Sequence, residues 1–223
     1  MPPFPSPNHS QRVGGQRPRL IVLHYTALPD AAASRARLCD PVHEVSAHWL
    51  VDLDGSAEAL VDENRRAWHA GAGAWGSIAD VNSASIGIEI QNIGHAPFPE
   101  PQMVGLERLL TEIFARWSLG PQAVIGHSDM APTRKADPGP HFDWRRLALG
   151  GFSVWPALAA SDQGFGDIAA TFQTSAHAFG YPKADLATLL HAFRLRFRPW
   201  AKGPLDAVDA AMAADMAARY PAA

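Results

Sequence analysis

Apolar and polar positions follow two different rhythms along this chain, and the rhythm changes near residue 150. In the first part, Leu20-Ile21-Val22-Leu23 is a continuous apolar run of strand length, the pattern of a strand buried on both faces. Ser85-Ile86-Gly87-Ile88-Glu89-Ile90 predicts a second buried strand, and its Gly87 predicts a close backbone approach. Ala123-Val124-Ile125-Gly126 is a third, shorter run. Val45 to Val51 and Glu58 to Val61 flank Asp54-Gly55, a turn pair, and predict a hairpin. Two stretches carry helical spacing instead. Residues 101–118 place Met103, Leu106, Leu110, Ile113, Phe114 and Trp117 on one face, with Gly120 as the expected stop. Residues 31–38, rich in Ala and Arg, predict a short helix.

After Pro156 the strand pattern is absent and three helical stretches follow. The first, about 167–179, carries Ile168, Phe172 and Phe179 and ends at Gly180; the second, about 184–197, carries Leu186, Leu189, Leu190, Phe193 and Phe197 and stops before Pro199. The third, about 205–219, carries Leu205, Val208, Met212 and Met216. Three short amphipathic helices can bury one small core. The expected organisation is an extended arm over 1–18, an α/β domain over 19–155, a linker over 156–165 and a three-helix domain over 166–223. The fold class is α/β, a central mixed sheet flanked by helices, with the small helical domain appended.

Composition narrows the function classes. With 223 residues, 47% hydrophobic and 18% charged, the chain has the make-up of an ordinary globular protein. A net charge of −3 and the lack of a basic cluster argue against nucleic acid as a partner. The single cysteine, Cys39, excludes an intrachain disulfide framework. The Pro-, Ser- and Gly-rich start has no apolar core, so it reads neither as a signal peptide nor as a membrane span, and the expected compartment is the cytoplasm, or the periplasm if a leader has been removed. Composition leaves the oligomeric state open.

The candidate chemistry gathers in Gly126-His127-Ser128-Asp129 through Asp137-Pro138-Gly139-Pro140, a turn-rich stretch holding a histidine, a lysine and an aspartate. His24 lies upstream, at the end of the first apolar run, where open α/β sheets present ligands. Two histidines and an aspartate are ligands that Zn²⁺ accepts while leaving one position open, the arrangement of a hydrolytic site. Each residue alone has a plainer reading: His24 and His127 as hydrogen-bonded core histidines, Asp137 as a turn residue before Pro138. Glu89 is the lone acid of an apolar strand, a costly placement without an ion-pair partner or a task. Ser128-Asp129 lacks the turn that would make Ser128 a nucleophile.

Taken in order, the motifs Ile21-Val22-Leu23-His24-Tyr25-Thr26-Ala27, Val45-Ser46-Ala47-His48-Trp49-Leu50-Val51, Ala67-Trp68-His69-Ala70-Gly71, Asn82 with Ser85-Ile86-Gly87-Ile88-Glu89, Gly126-His127-Ser128-Asp129 and Arg134 to Pro140 resemble the type-2 family of zinc-dependent N-acetylmuramoyl-L-alanine amidases, kin to the peptidoglycan recognition proteins. The resemblance spans about residues 20–145. The tail, through Phe179-Gly180-Tyr181, His191-Ala192-Phe193 and Phe197-Arg198-Pro199, resembles a peptidoglycan-binding three-helix domain.

The resemblance implies Zn²⁺ held by His24, His127 and Asp137, Glu89 as the proton-handling residue and Lys135 facing the oxyanion. It implies hydrolysis of the amide between N-acetylmuramic acid, or its 1,6-anhydro form, and the L-alanine of the stem peptide, in wall recycling or turnover. Tyr25, Ala67, His69 and Asn82 fall at substrate-side positions, with an orienting role for a buried His69 as the other reading. His48 suits a structural role, and His43, His95 and His141 suit loops or surface. Glu44 stands where anhydro-selective relatives carry a basic residue, so strict anhydro selectivity is not implied. The alternative function is a recognition module without catalysis, which retention of all three ligands, Glu89 and Lys135 disfavours.

Overall fold

The structure is a computed structural model that describes residues 4–157 and 166–222. The first three residues of the expected arm and most of the expected 156–165 linker lie outside the described residues. In chain order the elements are β1 (His9–Ser10), β2 (Leu20–Tyr25), α1 (Ala31–Cys39), β3 (Trp49–Val51), β4 (Ala57–Ala59), β5 (Arg66–Ala67), α2 (Val81–Ala84), β6 (Ser85–Ile90) and α3 (Glu100–Trp117). They continue with β7 (Val124–Gly126), α4 (His127–Met130), α5 (Trp144–Leu149), α6 (Ile168–Phe179), α7 (Leu186–Phe197) and α8 (Ala207–Arg219).

Five strands form one mixed sheet in the order β4-β3-β6-β2-β7, with β3–β4 antiparallel and the other pairs parallel. β1 and β5 make a separate antiparallel pair that ties the N-terminal arm to the body. The continuous apolar run of β2 is explained by burial on both faces, while β6 alternates, with Ile86, Ile88 and Ile90 on one face and Ser85, Gly87 and Glu89 on the other. On one face, Ile21, Leu23, Ile86, Ile88, Ile90 and Val124 pack against Met103, Leu106, Leu110 and Ile113 of α3. Fully burying one such side chain contributes about 1.5–3 kcal/mol, so this stripe holds α3 in place. On the other face, Leu20, Val22 and Ile125 join Trp75, Met130 and the apolar faces of α6, α7 and α8 in a common cluster. The C-terminal helices therefore share a core with the sheet.

Strand alternation puts His24 and Glu89 on that second face, beyond the part that the C-terminal helices cover. Gly87 is on the same face, where an added Cβ would lie 2.3 Å from the His69 ring. The close approach predicted at Gly87 is thus to a side chain.

Three local expectations change. The hairpin strand begins only at Trp49, because Ser46 and His48 send their N–H groups to Trp68 and Gly87, away from the hairpin partner. α3 stops at Ser118, which takes the left-handed conformation (φ 55°), whereas Gly120 is extended. The stretch after Gly126 opens with one helical turn, α4, whose Asp129 carboxylate accepts from the Gly126 N–H at 2.8 Å.

Candidate functional site

Three neighbouring strand ends assemble the site. In the parallel register His24 pairs with Glu89, and Leu23 pairs with Gly126, so that His127 follows one residue later at the level of His24. The order β6-β2-β7 therefore sets Glu89, His24 and His127 in a row along the carboxyl edge of the sheet, where such sheets bind ligands. Asp137 comes from the loop after α4, which returns because the Ser128 N–H donates to the Asp137 carbonyl at 2.9 Å.

Nδ1 of His24 lies 2.8 Å from Nδ1 of His127, and each lies 3.0 Å from Oδ2 of Asp137. All three residues are buried. Among the described residues this is the group of histidine and carboxylate side chains that could hold a metal ion. Two nitrogens and one oxygen converging from three directions suit Zn²⁺, which takes imidazole and carboxylate together and leaves a position toward the cleft.

Burial drives the His24 pKa down to about 4, with the neighbouring His127 adding to the effect, so the His24 ring is neutral and keeps a lone pair to give. Burial likewise pushes His69 well below the usual histidine range. Burial opposes the charge of Asp137, but contact with His127 and His24 outweighs it and holds the carboxyl below the carboxylate range. Glu89 goes the other way. Burial, reinforced by the negative charge of Asp137, raises its pKa well above the ordinary value, and Lys135 only partly offsets this. Oε2 of Glu89 is shielded from solvent and has no hydrogen-bond partner among the described residues.

These groups line a cleft of about 530 Å³ together with Tyr25, Thr26, Arg37, Trp68, Arg134 and Lys135. Larger grooves lie elsewhere, but neither contains a metal-ligating cluster. Lys135 is exposed on the cleft and makes no side-chain hydrogen bond or ion pair among the described residues. Tyr25 forms part of the wall, with Gly94 and Gly139 against its ring.

Ala67 and Asn82, expected on the substrate side, do not line the cleft. Ala67 is wholly buried in β5, and Asn82 spends its carbonyl oxygen on the N–H groups of His69 and Ala70, at 3.0 and 2.8 Å. His69 lines the cleft and also touches His24, with its Nδ1 3.1 Å from His24 Nε2. His48 is structural: its Nδ1 accepts from the Gly87 N–H and its Nε2 donates to the Arg65 carbonyl. Sequence reasoning did not single out Arg37 or Arg134. Nothing in the one-dimensional pattern marks Arg37, which reaches the cleft from α1. Arg134 bonds the carbonyls of Ala70 and Ala72 across a long separation in sequence.

Comparison with known proteins agrees with this geometry. The family described as N-acetylmuramoyl-L-alanine amidase matches residues 14–140. The chain is 34% identical to the N-acetylmuramoyl-L-alanine amidase AmiD of Escherichia coli K12, covering 92% of this chain and 84% of that protein. It is 31% identical to the 1,6-anhydro-N-acetylmuramyl-L-alanine amidase AmpD of Haemophilus influenzae, over 63% of this chain and 86% of that one. The structure of E. coli AmiD with anhydro-N-acetylmuramic acid-L-Ala-D-γ-Glu-L-Lys superposes with a TM-score of 0.83 at 33% identity, covering 95% of this chain and 93% of that chain. Pseudomonas aeruginosa AmpDh3 in complex with anhydromuramic pentapeptide gives 0.83 at 33% identity, covering 96% of each chain. No helix among the described residues is long and apolar enough to cross a membrane. A family match over more than half the sequence, and a relative matched nearly end to end, make this chain a member of the N-acetylmuramoyl-L-alanine amidases.

Proposed function

We propose that His24, His127 and Asp137 hold Zn²⁺, and that Glu89 and Lys135 carry the proton and charge traffic of amide hydrolysis between the muramoyl lactyl group and L-alanine. The convergence of two imidazole nitrogens and a carboxylate oxygen within 2.8–3.0 Å carries this reading. When bound, the ion supplies Lewis acidity at the scissile carbonyl.

The remaining work falls to the chain. Glu89 sits beside His24 in register, with one carboxyl oxygen unpartnered among the described residues and its pKa raised by burial, which suits a group that takes and returns protons. It accepts a proton from the attacking water and delivers one to the departing L-alanine nitrogen. Lys135 presents a free ammonium at the mouth, where it stabilises the negative charge that grows on the carbonyl oxygen. Tyr25 and Trp68 wall the channel along which the muramoyl peptide lies. The solved relatives were captured with anhydromuramoyl peptides, which supports that substrate class here. Glu44 stands where anhydro-selective relatives carry a basic residue, so the reading includes reducing muramoyl peptides as well. The three C-terminal helices serve, in this reading, as a wall-binding surface. Cell fractionation decides between cytoplasm and periplasm.

Digestion of defined anhydro and reducing muropeptides, with mass detection of the freed peptide, tests the proposal before and after chelation. Loss of turnover on chelation and its return with zinc is the expected result. Unchanged hydrolysis in metal-free protein overturns it.

A further inference from the structure

A metal site built from histidines works only if each ring turns a lone pair, and not an N–H, toward the ion. A neutral imidazole has one of each, so the choice is set by what the other nitrogen bonds. Here both choices can be followed to a fixed end, the Val81 carbonyl for His24 and the Ala70 carbonyl for His127.

The first path starts at the carbonyl of Val81. A carbonyl only accepts, so the Ser85 hydroxyl, 2.5 Å away, must donate to it. That uses the only proton on Ser85 Oγ, so the oxygen can only accept from His69 Nε2 at 3.2 Å. The proton of His69 is then on Nε2, and His69 Nδ1 is an acceptor. Its partner at 3.1 Å is His24 Nε2, which must donate. His24 Nδ1 is left with its lone pair, aimed at His127 and Asp137. The second path is shorter. His127 Nε2 lies 2.9 Å from the Ala70 carbonyl and must donate to it, which leaves the His127 Nδ1 lone pair facing the same point.

The two paths meet in one rigid strip. Asn82 Oδ1 accepts from the backbone N–H of both His69 and Ala70, fixing side chain and carbonyl relative to each other. Arg134 donates to the same Ala70 carbonyl and packs over Gly71. Gly87 leaves room for the His69 ring, since a Cβ there would lie 2.3 Å from its Cγ. His69, Ala70, Asn82 and Ser85 are all remote in sequence from His24 and His127.

We infer that the His69–Ala70 strip, held by Asn82 and Ser85, fixes the tautomers of both His24 and His127 so that two Nδ1 lone pairs and the Asp137 carboxylate converge on one cation. His69, Asn82 and Ser85 are positioning residues for the metal, acting through His24 and His127. The inference rests on the reading that this cluster holds a cation, but the proton position on His69, which is not a ligand, is measurable in the metal-free chain.

The test uses the full chain, ¹⁵N-labelled, metal-free and zinc-loaded at neutral pH, with long-range ¹H–¹⁵N correlation of the imidazoles. His69 is expected as the Nε2–H tautomer in the metal-free chain, and His24 and His127 are expected with their proton on Nε2 in the zinc-loaded chain. In Ser85→Ala the acceptor for His69 Nε2–H is gone, and His69 is expected as a tautomer mixture in the metal-free chain. Zinc affinity, read by competition with a chromogenic chelator, is expected to fall about 10- to 100-fold. Ser85→Thr, which keeps a hydroxyl, is expected to restore both readouts, and thermal melts of the variants separate this from loss of fold. A metal-free wild-type His69 carrying its proton on Nδ1, or a zinc-loaded His24 or His127 carrying its proton on Nδ1, overturns the inference. So does a folded Ser85→Ala protein with unaltered tautomers and affinity. If the His69 tautomer is as expected but the wild-type chain binds no zinc, the cation reading falls while the proton position on His69 stands.

Discussion

Arg196 of α7 and Asp129 of α4 form an ion pair of 2.7 Å in which both side chains are almost wholly removed from solvent. Tyr181 donates to the other oxygen of the same carboxylate at 2.5 Å, and Arg196 also reaches the Val124 carbonyl and Ser153. The guanidinium stacks on Trp144, 4.5 Å from the ring centre. Asp129 also closes the first turn of the helix that begins with His127. The C-terminal helices thus grip the element that presents one of the candidate ligands.

Removing one partner of a buried pair strands the other charge. Arg196→Met is therefore expected to cost about 3–5 kcal/mol. For a chain of this size that corresponds to a fall in Tm of roughly 6–20 °C. Tyr181→Phe deletes one hydrogen bond to a charged group and is expected to cost about 1.5–3 kcal/mol. Urea and thermal melts of the metal-free protein measure both. A Tm in Arg196→Met equal to wild type means that the pair does not anchor the helices.

Glu89→Gln keeps the size of the side chain and removes its ability to accept a proton. Zinc content and Tm are expected to match wild type, while kcat falls by about 10²- to 10⁴-fold. Lys135→Met is expected to lower kcat by about 10²- to 10³-fold with little change in stability, because its side chain is exposed and unpaired. Steady-state kinetics on a defined muropeptide, alongside metal analysis, read both. Near-normal turnover in Glu89→Gln removes it as the base.

Far from the cleft, Glu63 binds Arg116 at 2.7 Å and the indole N–H groups of Trp49 and Trp117 at 2.7 and 2.5 Å. Burial opposes its charge, but these donors outweigh burial and hold its pKa below the usual range. A depressed carboxyl contributes stability that is complete above the unfolded value of about 4.3 and is lost as pH falls through the folded value. Glu63→Gln is expected to be less stable than wild type by about 1.5–3 kcal/mol at pH 7, with the gap narrowing below about pH 4. Denaturant titrations from pH 7 down to pH 3 check the sign, and a gap that widens in acid contradicts it.

Trp200 is 64% exposed and follows Pro199 on the rim of a groove lined by Leu186, Leu190, Pro199 and Leu205. If the C-terminal helices bind wall, Trp200→Ala is expected to reduce co-sedimentation of the full chain with insoluble peptidoglycan several-fold. Turnover of soluble muropeptides should be unchanged. Equal sedimentation of the two proteins argues against this surface as the wall contact.

Which segments are strands and which are helices can be read along the chain wherever burial is one-sided or complete. The β2 and β6 runs and the apolar face of α3 are legible because the hydrophobic effect acts residue by residue and leaves a period behind. The sequence also marked His24 and His127, since polar groups at the ends of apolar runs stand out, and Glu89 as the lone acid within one, while Asp137 was marked by the ordered motifs of the resemblance. Tertiary structure alone decided their order across β6, β2 and β7, which follows from parallel pairings between segments distant in the chain. It likewise decided that Asn82 serves the backbone of His69 and Ala70, and that Ser85 determines which nitrogen of His69 carries the proton. It decided, too, that Arg196 meets Asp129. Hydrogen bonds and ion pairs between remote residues are directional and satisfied one at a time, so they impose no period on the sequence and become visible only when the chain has closed on itself.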